Sequence, residues 1–220
     1  MPEVIAVDAA ITTYLRQTDT KAAASLAATG EAGVQRMLGL WYGTSTDPLP
    51  NPIPEVSSRD AIDRWSSALA IVASAAPSAF VDGIADLDMS TTLLAILGDV
   101  DDPRAITTLA GHIADEDWLT RYNAVSSLGR RSDPAARPFL EPALADENLV
   151  VRAAAIKAVS GWDPDRASTL YQDLLDSPDL TPVLRSQVSA AITLLQGDAL
   201  LQGDTLLQGD AAAQTPDDPA

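Results

Sequence analysis

The sequence predicts an all-α fold in which helical hairpins stack into a right-handed solenoid. The 220 residues include 38 alanines but only ten aromatic residues, and alanine is the best helix former and a poor strand residue. Glycine, proline and aspartate interrupt the chain every ten to fifteen residues, as they do at helix boundaries. From about residue 90 the chain also repeats itself every 30 or 31 residues, which is typical of stacked helical repeats.

The first part of the chain predicts a less regular group of helices. Apolar residues recur at helical spacing in three segments, 4–17, 20–28 and 32–42. Prolines at every second position from 48 to 54 then require an extended loop, because proline fixes φ and lacks an N–H group. Two more helices are expected after the loop, at 59–76 and 78–87. We therefore assign residues 1–57 to an N-terminal helical region with a Pro-rich loop, and residues 58–196 to a repeat region.

Each period of the repeat region carries the same features in the same order. An Asp-Pro pair precedes the first helix, at Asp102-Pro103, Asp133-Pro134 and Asp163-Pro164. Aspartate accepts the unpaired N–H groups of a helix start, and proline has no N–H group to leave unpaired there. An aspartate and an arginine mark the second helix, at Asp115 and Arg121, Asp146 and Arg152, and Asp176 and Arg185. Such a hairpin cannot bury its apolar face alone, so we expect neighbouring hairpins to stack.

The second helices carry the pattern Asp-x5-Arg-x2-Ala-x3-Leu/Val at residues 115–128 and again at 146–159. This pattern, after an Asp-Pro pair and a Leu-rich helix, resembles the short bacterial HEAT repeat known as the phycobilisome-lyase HEAT-like repeat. The third period has a longer turn at 177–182, and Ser90 stands where a preceding period would have its arginine. The resemblance implies a structural ladder in which each aspartate caps its helix and pairs with an arginine.

The resemblance also implies that the second helices line a concave face on which partners bind. Trp118 and Tyr122 lie one turn apart near the start of such a helix, and aromatic side chains offer a large contact area at low entropic cost. The alternative is that these rings fill gaps between repeats. Helical spacing predicts further exposed binding residues at Asn123, Ser127, Arg130 and Lys157.

Composition excludes several classes of function. The chain has no cysteine and one histidine, His112, which argues against thiolate catalysis, a Ser-His-Asp triad and Cys- or His-based metal sites. We therefore expect no catalytic residue, no metal and no cofactor. A net charge of −17 argues against nucleic acid as a partner and against a HEAT-like DNA glycosylase. With no long apolar run and no basic leader, the chain is expected to be cytoplasmic and not in a membrane.

These observations favour a non-catalytic module that binds another protein along the concave face. The resemblance implies an alternative, a subunit of a phycobilin:phycobiliprotein lyase or isomerase, which would hold a bilin and work in a hetero-oligomer. The last region, residues 197–220, continues a six-residue repeat, Leu-Leu-Gln-Gly-Asp-Ala/Thr, that starts at Leu194. The region ends in a segment rich in Ala, Asp and Pro. Because this region lacks a helical period and contains no base, we expect a disordered tail.

Overall fold

A computed structural model describes residues 2–45, 49 and 59–196. These residues form helices and turns without a strand, which confirms the predicted all-α class. The chain divides into two compact units, Met1–Ala136 and Arg137–Ala220. Most of the Pro-rich loop and the whole predicted tail lie outside the described residues, so the boundaries proposed at 57/58 and 196/197 stay predictions.

The first unit contains the N-terminal helices and the first repeats. Its helices are α1 (Pro2–Gln17), α2 (Thr20–Ala27), α3 (Gly30–Trp41), α4 (Arg59–Ala75), α5 (Pro77–Ile84), α6 (Thr91–Leu97), α7 (Arg104–Ala110) and α8 (Trp118–Arg131), and a 3-10 turn follows at Pro134–Ala136. Helix α4 packs against α1, α2 and α3, and α6 packs against α8. The N-terminal helices and α4 therefore share one core.

A buried ion pair joins α1 to α3. The Arg36 guanidinium donates from Nε to Asp8 Oδ1 at 2.7 Å and from Nη2 to Asp8 Oδ2 at 3.2 Å, and it also donates to the Ser45 hydroxyl. Breaking a buried pair leaves an uncompensated charge in the interior, which is strongly destabilising. The two residues are 28 positions apart and belong to no repeat, so the sequence pattern does not indicate the contact.

Helices α4 and α5 meet at a sharp bend of 118°. Helix α4 buries Trp65 and Leu69, and α5 buries Phe80. Among the described residues no single helix is long and apolar enough to cross a membrane, whereas this bent pair taken together meets the same criteria of length and composition.

In the residues that the structure describes, the second unit contains one short helix, a 3-10 turn and three longer helices, which pack around a core of their own. They are α9 (Arg137–Leu140), a 3-10 turn at Pro142–Ala145, α10 (Leu149–Ser160), α11 (Pro164–Leu175) and α12 (182–196). Proline lacks the helical N–H donor and clashes with the preceding turn, so Pro142 separates the 3-10 turn from α9. The core combines apolar residues of α10, α11 and α12, including Ile156, Tyr171 and Val188.

Candidate interaction surface

Helices α8 and α10 begin with the same hydrogen-bonded turn. The Asp115 carboxylate accepts the N–H of Asp117 at 2.9 Å, and the Asp146 carboxylate accepts the N–H of Asn148 at 2.8 Å. The N-cap residues are Asp117 and Asn148. The expectation that Asp115 and Asp146 cap these helices is therefore wrong by two residues. A carboxylate at their position holds the turn that leads into the cap.

Two of the arginines that recur in the repeats place guanidinium groups against backbone carbonyls. Arg121 is only 6 % exposed, and its Nη1 donates to the carbonyls of Asp115 at 2.9 Å and Glu116 at 3.1 Å. Arg185 likewise donates from Nη1 to the Leu175 carbonyl at 2.8 Å. These bonds tie each helix start to the end of the preceding segment.

The other two members of the predicted ladder take different positions. Arg152 is half-buried, and its Nε has no hydrogen-bond partner. Asp176 is the C-cap residue of α11, where its N–H donates to the Gln172 carbonyl at 3.3 Å. The proposed structural role of the ladder stays a prediction, and the contacts of Arg121 and Arg185 support it.

Two large apolar side chains are exposed on the first turn of α8. Trp118 is 43 % exposed and Leu119 is 40 % exposed. Tyr122 and Asn123, one turn further along, are half-buried, and Asn123 Nδ2 donates to the Leu119 carbonyl at 2.7 Å. We call Trp118 and Leu119 the α8 patch. The structure thus brings accessible aromatic and aliphatic surface together at the N-terminal end of α8.

The C-terminal half of α8 is less accessible than the sequence predicts. Ser127 is 1 % exposed, so its prediction as an exposed residue is wrong. Arg130 Nη2 donates to the Ala95 carbonyl of α6 at 2.8 Å and to Ser127 Oγ at 3.3 Å. Helical spacing along α8 could not show this, because the contact comes from α6. Gly98 leaves the space that both side chains occupy.

Arg131 is a structural residue that sequence analysis did not identify. Its Nη1 donates to the carbonyls of Leu97 at 3.1 Å and Val100 at 2.5 Å, and its Nη2 donates to the Asp102 carbonyl at 3.3 Å. The last carbonyls of a helix have no partner within the helix. Arg131 therefore supplies donors at the end of α6 and in the turn that follows.

The last predicted binding residue, Lys157, belongs to the second unit and is exposed on the last turn of α10. Two apolar residues of this unit are exposed at positions that correspond to Leu119. Val150 lies two residues before Arg152, and Val183 lies two residues before Arg185, as Leu119 lies two before Arg121. Each second helix therefore presents an apolar side chain on its first turn.

Two exposed arginines near the starts of first helices, Arg104 and Arg166, are held in ion pairs. Arg104 contacts Asp82 Oδ1 at 2.5 Å and Asp102 Oδ2 at 2.8 Å, and its hydrogen bonds hold the pKa of the buried Asp102 carboxyl well below its usual range. Arg166 contacts both carboxylate oxygens of Glu141 at 2.8 Å and lowers the pKa of that carboxyl. These pairs stabilise packing between neighbouring helices within each unit.

No group of three or more acidic, histidine or cysteine side chains is arranged to hold a metal ion in the part of the chain that the structure describes. His112 lies two residues after the end of α7, with Nδ1 3.7 Å from Asp115 Oδ2. It thus belongs to the turn before α8.

Comparison with known proteins identifies the repeats. Residues 90–160, which extend from the cap of α6 through α10, match the family model described as HEAT repeats. No curated protein matches the chain. The match confirms the HEAT-like character predicted from the Asp and Arg spacing, and it does not distinguish the phycobilisome-lyase subtype. Residues 90–160 are therefore similar to HEAT repeats, and this similarity covers about a third of the chain.

Proposed function

We propose that this protein is a non-catalytic interaction module that binds a partner protein at the second helices of its repeats. The observation that carries the proposal is the exposure of the α8 patch, Trp118 and Leu119, on the first turn of a well-anchored helix. Arg131 and Arg130 hold the other end of that helix against α6. Large apolar side chains on a rigid element bind with little loss of conformational entropy.

The chemistry of the surface supports binding more than catalysis. The chain lacks cysteine, and its one histidine lies beside Asp115 in a turn. Repeat proteins of this kind commonly work through extended binding surfaces. In this proposal the module needs no cofactor, works in the cytoplasm and forms a hetero-oligomer with its partner.

The bilin-lyase alternative has less support from the structure. In that alternative, Arg121 between Trp118 and Tyr122 would be the natural cation for a bilin carboxylate. Arg121 is buried and donates to two backbone carbonyls, so its side chain serves the fold. A bilin added to the purified protein should therefore produce no shifted absorption band, and such a band would favour the alternative.

The proposal is tested by comparing partner binding of the wild-type chain with that of Trp118→Ala. Ile62→Ala is the matched control, because Ile62 is also a large apolar residue and is 43 % exposed, on α4. Proteins captured from the native host would be identified and purified, and their affinities for the three chains measured by isothermal titration calorimetry. We expect Trp118→Ala to weaken binding by at least about tenfold, as hot-spot aromatic residues do.

The control variant should bind like the wild-type chain, and all three chains should have similar melting temperatures. The proposal fails if no captured protein binds the purified chain directly. It also fails if Trp118→Ala and Ile62→Ala bind with the same affinity as the wild-type chain.

A further inference from the structure

We infer, on the basis of the proposed function, that the partner segment bound at the α8 patch is basic and carries an apolar side chain. The proposed function requires a protein partner and leaves its chemistry open. The charges around the patch favour a partner segment in which Lys or Arg residues flank a leucine-like residue.

Carboxylates lie directly before the α8 patch in the chain. Asp115, Glu116 and Asp117 precede Trp118, and Glu116 and Asp117 are exposed. Asp117 accepts hydrogen bonds from the Thr120 hydroxyl at 3.0 Å and from two backbone N–H groups, which favour its charged form. The patch therefore has a negative rim at neutral pH.

The cationic side chains of α8 either make hydrogen bonds within the protein or lie far from this rim. The guanidinium of Arg121 is buried against the carbonyls of Asp115 and Glu116. Arg130 and Arg131 lie at the opposite end of the 14-residue helix, against α6. Arg121 offsets part of the rim's charge, but three carboxylates face this one guanidinium, so the rim keeps a net negative charge where the apolar residues are exposed.

The same pairing of charge and apolar surface recurs in the second unit. Exposed Glu147 precedes exposed Val150 by three residues, as Glu116 precedes Leu119, and exposed Asp179 precedes exposed Val183 by four. The basic residue of α10, Lys157, is again in its last turn. Three second helices therefore repeat one chemical arrangement, although their apolar residues differ.

Charge and apolar contact make different contributions to binding. Apolar contact supplies affinity, while complementary charge raises the association rate and rejects partners of the wrong sign. A segment with acidic flanks would meet like charges at the rim, and nucleic acid would meet them along its phosphates. A basic segment with an apolar side chain complements both the apolar patch and its negative rim.

The test measures fluorescence anisotropy of three labelled 16-residue peptides titrated with the full chain. The first peptide combines lysines with leucines at helical spacing, the second replaces the leucines by serine, and the third replaces the lysines by glutamate. The variant is Glu116→Lys, because Glu116 is exposed and is not the N-cap. The matched control is Glu31→Lys on α3, another exposed glutamate of the same unit, so that both variants change the net charge equally.

We expect the Lys–Leu peptide to bind at least about tenfold more tightly than either other peptide. Glu116→Lys should weaken that binding by about fivefold, Glu116→Gln by less, and Glu31→Lys by less than about twofold. Added salt should weaken binding to the wild-type chain more than to Glu116→Lys.

The inference is overturned if Glu116→Lys and Glu31→Lys weaken binding equally, because binding would then follow the overall charge. It is also overturned if the Glu–Leu peptide binds as tightly as the Lys–Leu peptide. A captured partner that depends on Trp118 and is indifferent to Glu116 would leave the proposed function intact and reject this inference. If no captured partner depends on Trp118 for binding, the proposed function itself is rejected.

Discussion

Helices α8 and α10 occupy the same register of successive repeats, yet only their N-terminal ends are chemically alike. Both begin with an aspartate that accepts an N–H two residues later and with a polar N-cap, Asp117 or Asn148. Their C-terminal ends differ. Helix α8 ends in Arg130 and Arg131, which bond to carbonyls at the end of α6 and in the following turn. Helix α10 ends at Ser160, and Gly161 is its C-cap.

The neighbours of these two ends explain the difference. After Gly161, Trp162 lies 5.2 Å from the guanidinium carbon of Arg137, measured to the ring centroid, which is within the range of a cation–π interaction. The repeat thus conserves the hydrogen bonds that each helix start makes with its own turn. The contacts at the C-terminal ends differ between the two repeats, because they are made with other segments of the chain. This comparison can be tested by changing one end at a time.

The largest expected effect comes from Arg131. Arg131→Ala removes donors from three carbonyls around the end of α6 and should lower the free energy of unfolding by about 3 kcal/mol, because bonds to charged groups are strong and their acceptors would lose partners. Arg130→Ala should cost only about 1 kcal/mol, since the Arg130 side chain is partly exposed. Urea unfolding followed by circular dichroism measures both values. Equal losses would show that the α6 contact does not depend on Arg131.

The shared N-terminal ends can be compared through their arginines. Arg121→Ala should destabilise the chain by about 2–3 kcal/mol, because it leaves a buried space and carbonyls without a donor. Arg152→Ala should cost less, about 1–2 kcal/mol, since Arg152 is half-buried and its Nε is already without a partner. Thermal unfolding of both variants checks the order, and a larger loss for Arg152→Ala would contradict it.

Acid should weaken the turn that receives Arg131. The Asp102 carboxylate accepts hydrogen bonds from Arg104, which lowers its pKa below the ordinary value near 4. A lowered folded-state pKa stabilises the fold above about pH 4, and the contribution is lost as pH falls further. Asp102→Asn should therefore be less stable by about 1–2 kcal/mol at pH 7. The difference from the wild-type chain should shrink between pH 4 and 2 in melting experiments, and a constant difference would contradict this origin.

The smallest effects are expected at the glycines that end α6 and α10. A Cβ on Gly98 would lie 3.0 Å from Ser127 Cβ and 2.5 Å from Arg130 Nη2, whereas a Cβ on Gly161 would meet its nearest atom at 3.5 Å. Both glycines have negative φ angles that alanine can adopt. Gly98→Ala should cost about 1 kcal/mol through overpacking, and Gly161→Ala should be neutral or stabilise by about 0.5 kcal/mol. The melting temperatures of the two variants test this difference. Equal shifts would show that close packing at Gly98 does not distinguish the C-terminal end of α8 from that of α10.

Sequence analysis predicted the helical class and the repeat period, because these features depend on contacts within a few residues, but it placed the caps of α8 and α10 two residues too early. It left two alternatives for Trp118, an exposed binding residue or a ring that fills a gap between repeats, and the side chain is 43 % exposed. It missed Arg131 and misplaced Ser127, because both residues face α6, more than 25 residues earlier in the chain. A one-helix pattern separates an apolar face from a polar one. It cannot separate a polar residue in solvent from one that is buried against a neighbouring helix.

The sequence by itself therefore determined the local elements: the Asp-Pro starts of helical turns and the register that repeats the aspartates and arginines. Each follows from hydrogen bonds between near neighbours and from the restricted backbone of proline. Only the tertiary structure decided which polar side chains are removed from solvent. Two examples are the ion pair between Asp8 and Arg36 and the hydrogen bonds from Arg131 to the end of α6. Both join segments that lie far apart in the sequence, so no local pattern predicts them. The accessible surface left at Trp118 and Leu119 follows from that packing, because burial is a property of neighbouring helices and not of one helix alone.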